Sequence, residues 1–144
     1  MAVDRSKDPY GSFNFVIEVQ GLLSGGFAEV SGIQVETETE EYREGGRNEF
    51  VHRLAKRTKQ STIVLKHGLG DSDELWKWYK AVVGGEVKRR NGSIILKDNA
   101  GQRVKQWNFT EAYPVKWTGP ELRAIGNTVA FESLELVHNG LDLA

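Results

Sequence analysis

In segment after segment of this 144-residue chain, apolar side chains return at every second residue, which restricts those segments to β-structure. Phe13, Phe15, Ile17 and Val19 share one face of the first such segment. Ile63 and Leu65, Trp107 and Phe109, and Leu134 and Leu136 repeat the pattern further on. One stretch departs from it. From Asp71 to Val83, Leu75, Trp78, Tyr79 and Val82 fall at i, i+3, i+4 and i+7, the spacing of an amphipathic helix. Asp71 and Glu74 have capping-box spacing, and Gly84-Gly85 marks the stop. The prediction is a mainly β chain, an antiparallel β-sandwich or barrel with one flanking α-helix, forming a single domain over residues 1–144. The expected core is Phe13, Phe15, Ile17, Val19, Ile63, Leu65, Leu75, Tyr79, Val82, Trp107, Phe109, Leu134 and Leu136.

Residues 1–10 read as a loose polar arm. Phe27 to Ile33 read as a returning strand broken by Gly32, and Ser93 to Lys97 pairs with Val104 to Thr110 through the turn Asp98-Asn99-Ala100-Gly101. Pro114 opens a short extended piece to Trp117. Thr128 to His138 is the last long strand, followed by a tail at Asn139-Gly140-Leu141. In that strand Phe131 and Val137 oppose Leu134 and Leu136, which implies burial on both faces or a bulge.

Residues 34–60 are of another kind. Val35 to Arg43 alternates Thr and Glu with almost no apolar residue, placing Glu36, Glu38 and Glu40 on one face. Glu44 to Asn48 is a turn, and residues 49–60 return with Arg53, Lys56, Arg57 and Lys59. Such a strand has nothing to bury in a monomer. It is a solvated ribbon, or it faces something outside the domain.

Chemistry is conspicuously missing. Net charge is −1, which argues against a generic polyanion binder. With no Cys there are no disulfides, thiolate zinc sites or thiol nucleophiles. His52, His67 and His138 lie on separate segments without metal-ligand spacing, and read as exposed strand or loop residues. Gly68-Leu69-Gly70 lacks the third glycine of a dinucleotide fingerprint, and Asp71 and Asp73 would repel a pyrophosphate there. A hydrolase using Glu40 or Glu44 is the enzymatic alternative, but three like charges in a row suit a solvated wall better than a tuned pair. Lys88-Arg89-Arg90, ahead of an Asn91-Gly92 turn signal, reads as a solvated turn or an interface partner for the acidic strand. The side chains Trp76, Trp78 and Tyr79 default to core packing. No cofactor, metal or catalytic residue is expected. Neither a secretory leader nor a membrane span is visible, so synthesis in the cytoplasm without a direct membrane anchor is expected.

Several motifs, in order, carry a resemblance. Gly26-Phe27-Ala28-Glu29-Val30-Ser31-Gly32-Ile33, Glu41-Tyr42-Arg43-Glu44-Gly45-Gly46 and Ile63-Val64-Leu65-Lys66-His67-Gly68 are followed by Leu75-Trp76-Lys77-Trp78. Trp107-Asn108-Phe109-Thr110-Glu111-Ala112-Tyr113-Pro114, Gly119-Pro120-Glu121-Leu122 and the run from Glu132 to Leu141 complete the set. Together, over residues 8–141, they resemble the inner tail-tube proteins of contractile phage tails and contractile injection systems. Leu54 to Lys59 departs from the pattern, since many relatives carry a Pro-Gly turn there.

The resemblance implies a β-barrel domain with a flanking helix, six copies per ring, and rings stacked into a hollow tube. It also implies a surrounding sheath, a baseplate and spike, and protein or DNA cargo in the lumen, within a phage virion or an injection particle. A tube-initiating or spike-adapter ring of the same fold is the alternative. On this reading Glu41, Tyr42, Arg43, Arg47, Arg53, Lys56, Arg57 and Lys59 are expected at the assembly interface. Lumen candidates are Glu36, Glu38 and Glu40, or Gln106, Asn108 and Thr110.

Overall fold

The computed structural model describes residues 10–11, 14–22, 27–42, 52–126 and 128–144. The arm over residues 1–9, Phe13, the turn 44–48 with Glu44, and Arg43 and Arg47 lie outside the described residues, as do the side chains of Tyr42, His52 and Arg53. The strands are β1 (Phe15–Val19), β2 (Phe27–Ser31), β3 (Val35–Tyr42), β4 (His52–Gln60), β5 (Ile63–Gly68), β6 (Arg90–Lys97), β7 (Arg103–Thr118), β8 (Phe131–Val137) and β9 (Gly140–Leu143), with a helix α1 (Glu74–Val83) between β5 and β6. Seven strands form one antiparallel sheet in the order β1-β6-β7-β8-β5-β2, with β9 also on β7. β3 and β4 form a separate two-stranded sheet.

β7 organises the main sheet. Its first part pairs with β6 and β9, and its last part with β8. β8 and β9 run along it almost as one strand, since Val137 faces Tyr113 and Gly140 faces Thr110 in unbroken register. The expected tail is thus a strand, its hydrogen-bonding groups satisfied by β7.

β7 departs from extended backbone and bends at Glu111, beside the register shift with β6, where a φ of 51° is the only positive value at a non-glycine among the described residues. The Glu111 N–H donates to Asn91 Oδ1 (3.0 Å), and Asn139 Nδ2 donates to its carboxylate. Asn139 N–H donates in turn to the Thr110 carbonyl (2.9 Å). Asn91 and Gly92 therefore lie inside β6, at a register shift, and form no turn. Gly92 is required by close approach. A Cβ there would overlap the Phe109 ring and come within 2.8 Å of the Glu18 carbonyl oxygen.

Ile17, Val19, Ile63, Leu65, Leu75, Phe109, Leu134 and Leu136 are buried as expected, joined by Trp78, Ile94 and Ala112. Phe15, Tyr79 and Trp107 are half-buried against this cluster, and Val82 is also half-buried.

Local expectations are corrected in several places. β2 does not return along β1. It pairs with β5, while β1 pairs with β6, matching Phe15 to Leu96 and Ile17 to Ile94. Pro114 sits within β7, its side chain buried, and a register shift between Pro114 and Lys116 accommodates the missing donor. α1 begins at Glu74 with Asp73 as N-cap and no side-chain cap bond, so the Asp71 capping box does not form. Leu69 N–H is tied to the Ala130 carbonyl (2.9 Å), holding the connection extended before the helix starts. Its end follows expectation. Gly85, at φ 93°, donates to the Val82 carbonyl and Glu86 N–H to the Ala81 carbonyl, a Schellman closure.

Candidate functional site

The polar excursion is the β3–β4 ribbon. Glu36, Glu38, Glu40 and Glu41 on β3 and Lys56, Arg57 and Lys59 on β4 are all exposed. In register, Glu36 faces Lys59, and Glu41 faces Arg53. A shift between Thr37 and Thr39 gives β4 one extra residue opposite Glu38. Beyond it Lys56 Nζ lies 3.7 Å from Glu40 Oε2. The acidic row and the basic return thus meet within one chain. Each exposed pair contributes only ~0–1 kcal/mol, so charge alone does not explain the ribbon.

The second set lies on the main sheet. Ser93 Oγ and Gln106 Nε2 both donate to Asn108 Oδ1 (2.8 Å each), and Arg103 Nη1 donates to Gln106 Oε1 (2.7 Å). At the Asn108 level the pairings run from Glu18 on β1 to Ser93 on β6, Asn108 on β7 and Asp142 on β9. A polar band therefore crosses four strands. It borders a shallow concavity of about 800 Å³ to which Gln106, Asn108 and Thr110 contribute. The two sets of residues expected as lumen candidates thus stand on separate sheets. Glu18, Ser93 and Asp142 escape sequence reasoning because only the strand order brings them to Asn108.

The histidine expectation is overturned at two positions. His138 is 7% exposed, beside the Phe109 ring, and His67 is largely covered. Period two places them: His67 follows Ile63 and Leu65, and His138 follows Leu134 and Leu136, on inward rows. His67 Nδ1 lies 3.5 Å from Glu132 Oε1, and Trp117 Nε1 donates to Glu132 Oε2 (3.0 Å). This cluster lies inside the sheet packing, a structural position. Among the described residues no group of three or more His, Asp or Glu side chains is placed to hold a metal, and no helix is long and apolar enough to cross a membrane.

Residues 11–142 match the model of a family described as T4-like virus tail tube protein gp19. No curated protein sequence matches the chain. Among solved structures, a chain of the extended-state sheath–tube complex of an extracellular contractile injection system, PVC, is similar at a TM-score of 0.87 and 24% identity, over 96% of this chain and 93% of that one. A chain of the anti-feeding prophage baseplate is similar at 0.85 and 25% identity, over 94% and 95%. Hcp1 from Flavobacterium johnsoniae shares the fold more distantly, at 0.58 and 17% identity over 91% and 94%.

Proposed function

Because this chain belongs to the T4-like virus tail tube protein family, we propose that it is the repeating subunit of an inner tube built from stacked six-copy rings. The ribbon carries this reading. Two strands that leave the main sheet with polar residues on both faces gain an apolar or hydrogen-bonded partner only from another copy. Head-to-tail contact of this kind closes rings and also propagates along an axis. Residues 34–60 are the assembly element in this scheme, and Glu41, Lys56, Arg57 and Lys59 lie on it.

The band of Ser93, Gln106 and Asn108 suits the lumen wall. Its amides are engaged with one another, so they offer passing cargo few free donors or acceptors. The subunit acts without catalysis, is made in the cytoplasm, and joins sheath, baseplate and spike proteins in a phage or injection particle. The sheath–tube and baseplate settings of the similar chains support those partners.

A charge exchange tests the ribbon. Reversing Arg53, Lys56 and Lys59 to Glu while changing Glu36, Glu40 and Glu41 to Lys keeps the pairing within the hairpin and inverts what a neighbour meets. The expected result is a folded protein that makes mixed tubes with the parent poorly in negative-stain images. Normal mixed tubes would remove the ribbon from the interface. A parent that stays monomeric over a wide concentration range in sedimentation would remove the tube reading.

A further inference from the structure

Between Thr118, where β7 ends, and Phe131, where β8 begins, run twelve residues, none of them in helix or strand among the described residues. Connections that long without secondary structure of their own usually carry a function. The bend of this one is apolar. Leu122 is 79% and Ile125 91% exposed, the latter next to Gly126 at φ 115°. Arg123 Nη2 donates to Glu121 Oε1 (3.0 Å), so these two loop charges meet each other. Apolar side chains scattered singly over a surface are ordinary. Here the two most exposed large ones among the described residues stand three apart on one loop.

A matching hollow lies elsewhere on the chain. β1 and β2 end the strand order without pairing with each other, and a groove of about 400 Å³ opens between them. Phe15, Val30, Ile33, Leu96 and Trp107 line it, and its only charged residue, Glu29, has Lys66 Nζ 4.0 Å from its carboxylate. At ~30 Å³ per molecule the groove has room for about a dozen waters against mostly apolar walls, and releasing them favours an apolar occupant. Register sets loop and groove at opposite ends of one strand pair. Gly68 faces Phe131 at the loop end of β5, and Ile63 at its other end lies ~17 Å away. At that far end Ser31 faces Val64, and Gly32 lies against the Thr62 carbonyl before Ile33. The loop of one copy accordingly forms no part of its own groove.

We infer that Leu122 and Ile125 of one copy seat in the groove between β1 and β2 of the next copy along the tube axis. The inference rests on the tube reading and adds to it a contact between rings that does not involve the ribbon. A second copy is the occupant because every copy carries both halves, and a shift head to tail along β5 brings them together. One contact then covers both apolar surfaces at once, which a segment of any other protein in the groove would not do. Each seated loop also leaves one loop and one groove open at the two ends, so the contact repeats without closing.

The chain has no cysteine, so an introduced pair reports the contact without background. Mild oxidation of Ile33→Cys/Ile125→Cys tubes should give covalent chains longer than one ring. Val83→Cys/Ile125→Cys, with its second thiol at the exposed end of α1, should stay uncrosslinked. No chains from the first pair, chains that stop at the size of one ring, or equal chains from the second pair would each overturn the assignment. In parallel, Leu122→Asp/Ile125→Asp should keep the parent Tm as dilute protein but need at least about tenfold more protein to grow tubes, read by sedimentation. Leu122→Val/Ile125→Val, which stays apolar, should grow within about threefold of the parent. Parent-like growth of the Asp variant would overturn the assignment, and if those tubes carried less sheath the loop would be a sheath contact instead. A parent that forms no tubes overturns the tube reading and this assignment together, whereas parent tubes without the cross-link overturn this assignment alone.

Discussion

Replacing Trp117 by Phe deletes one hydrogen-bond donor from a carboxyl group that has almost no access to water. Glu132 is 4% exposed, and its Oε2 accepts from the Trp117 indole at 3.0 Å. Its other oxygen lies 3.5 Å from His67 Nδ1, so the imidazole cannot also take over the vacated position without moving. Leaving a buried acceptor without this donor costs ~1–3 kcal/mol. The indole also meets Trp76 edge-on, with ring centres 4.6 Å apart. Weakening that contact adds ~0.5–1.5 kcal/mol. The two effects together give a loss of about 2–4 kcal/mol, and at ~2–4 °C per kcal/mol for chains near this size the Tm should fall by roughly 5–15 °C. A double-mutant cycle with Glu132→Met, which removes the acceptor at similar volume, followed by thermal and urea unfolding of dilute protein, isolates the hydrogen bond from the ring contact. Coupling of about 1–2 kcal/mol is expected. Coupling under ~0.5 kcal/mol would refute the view that this pair matters beyond packing.

Leu75→Ala should cost ~2–5 kcal/mol in urea unfolding, because Leu75 is fully enclosed, whereas half-buried Phe15→Ala should cost distinctly less. Equal losses would mean that the β1 face is packed as tightly as the helix seat. Gly92→Ala forces Phe109 aside and should cost ~1–3 kcal/mol, visible as a lower Tm; an unchanged Tm would contradict the close approach. Asn139→Ala frees the Glu111 carboxylate at the bend and should cost ~0.5–1.5 kcal/mol, with hydrogen exchange quickening in β9 before β8. Uniform exchange along β8 and β9 would count against a local role.

Residues that bury one face were legible as sequence. Leu134 and Leu136, Ile63 and Leu65, and Leu75 could be placed because period and hydropathy agree there. Long-range pairing was not legible. Nothing local in Phe27 to Ser31 says that it meets β5 and not β1, and Gly140 to Leu143 is too short to announce a strand until β7 offers it an edge. The same limit hid part of the polar band, since Ser93 and Asp142 become neighbours of Asn108 only through strand order. His67 and His138 are covered against expectation because both continue inward rows, where position in the strand outweighs the polarity of the residue type. The ribbon was visible in outline, as acidic residues leaving and basic residues returning. Its register, which sets those charges against each other, was not.

That register bears on how fast free copies find one another. A ribbon whose carboxylates and ammonium groups sit side by side has a dipolar field that dies away within a few ångströms, so it cannot pull a second copy in from solution. Encounters through it should proceed near the unsteered 10⁵–10⁶ M⁻¹s⁻¹, roughly, rather than the ~10⁸–10⁹ M⁻¹s⁻¹ of charge-guided partners, and change little with ionic strength. Assembly of free copies would then be slow rather than absent, and fastest on a surface that already presents several copies at once. Lowering the salt would not hasten the first contacts, so early misplaced growth would be kinetically held back.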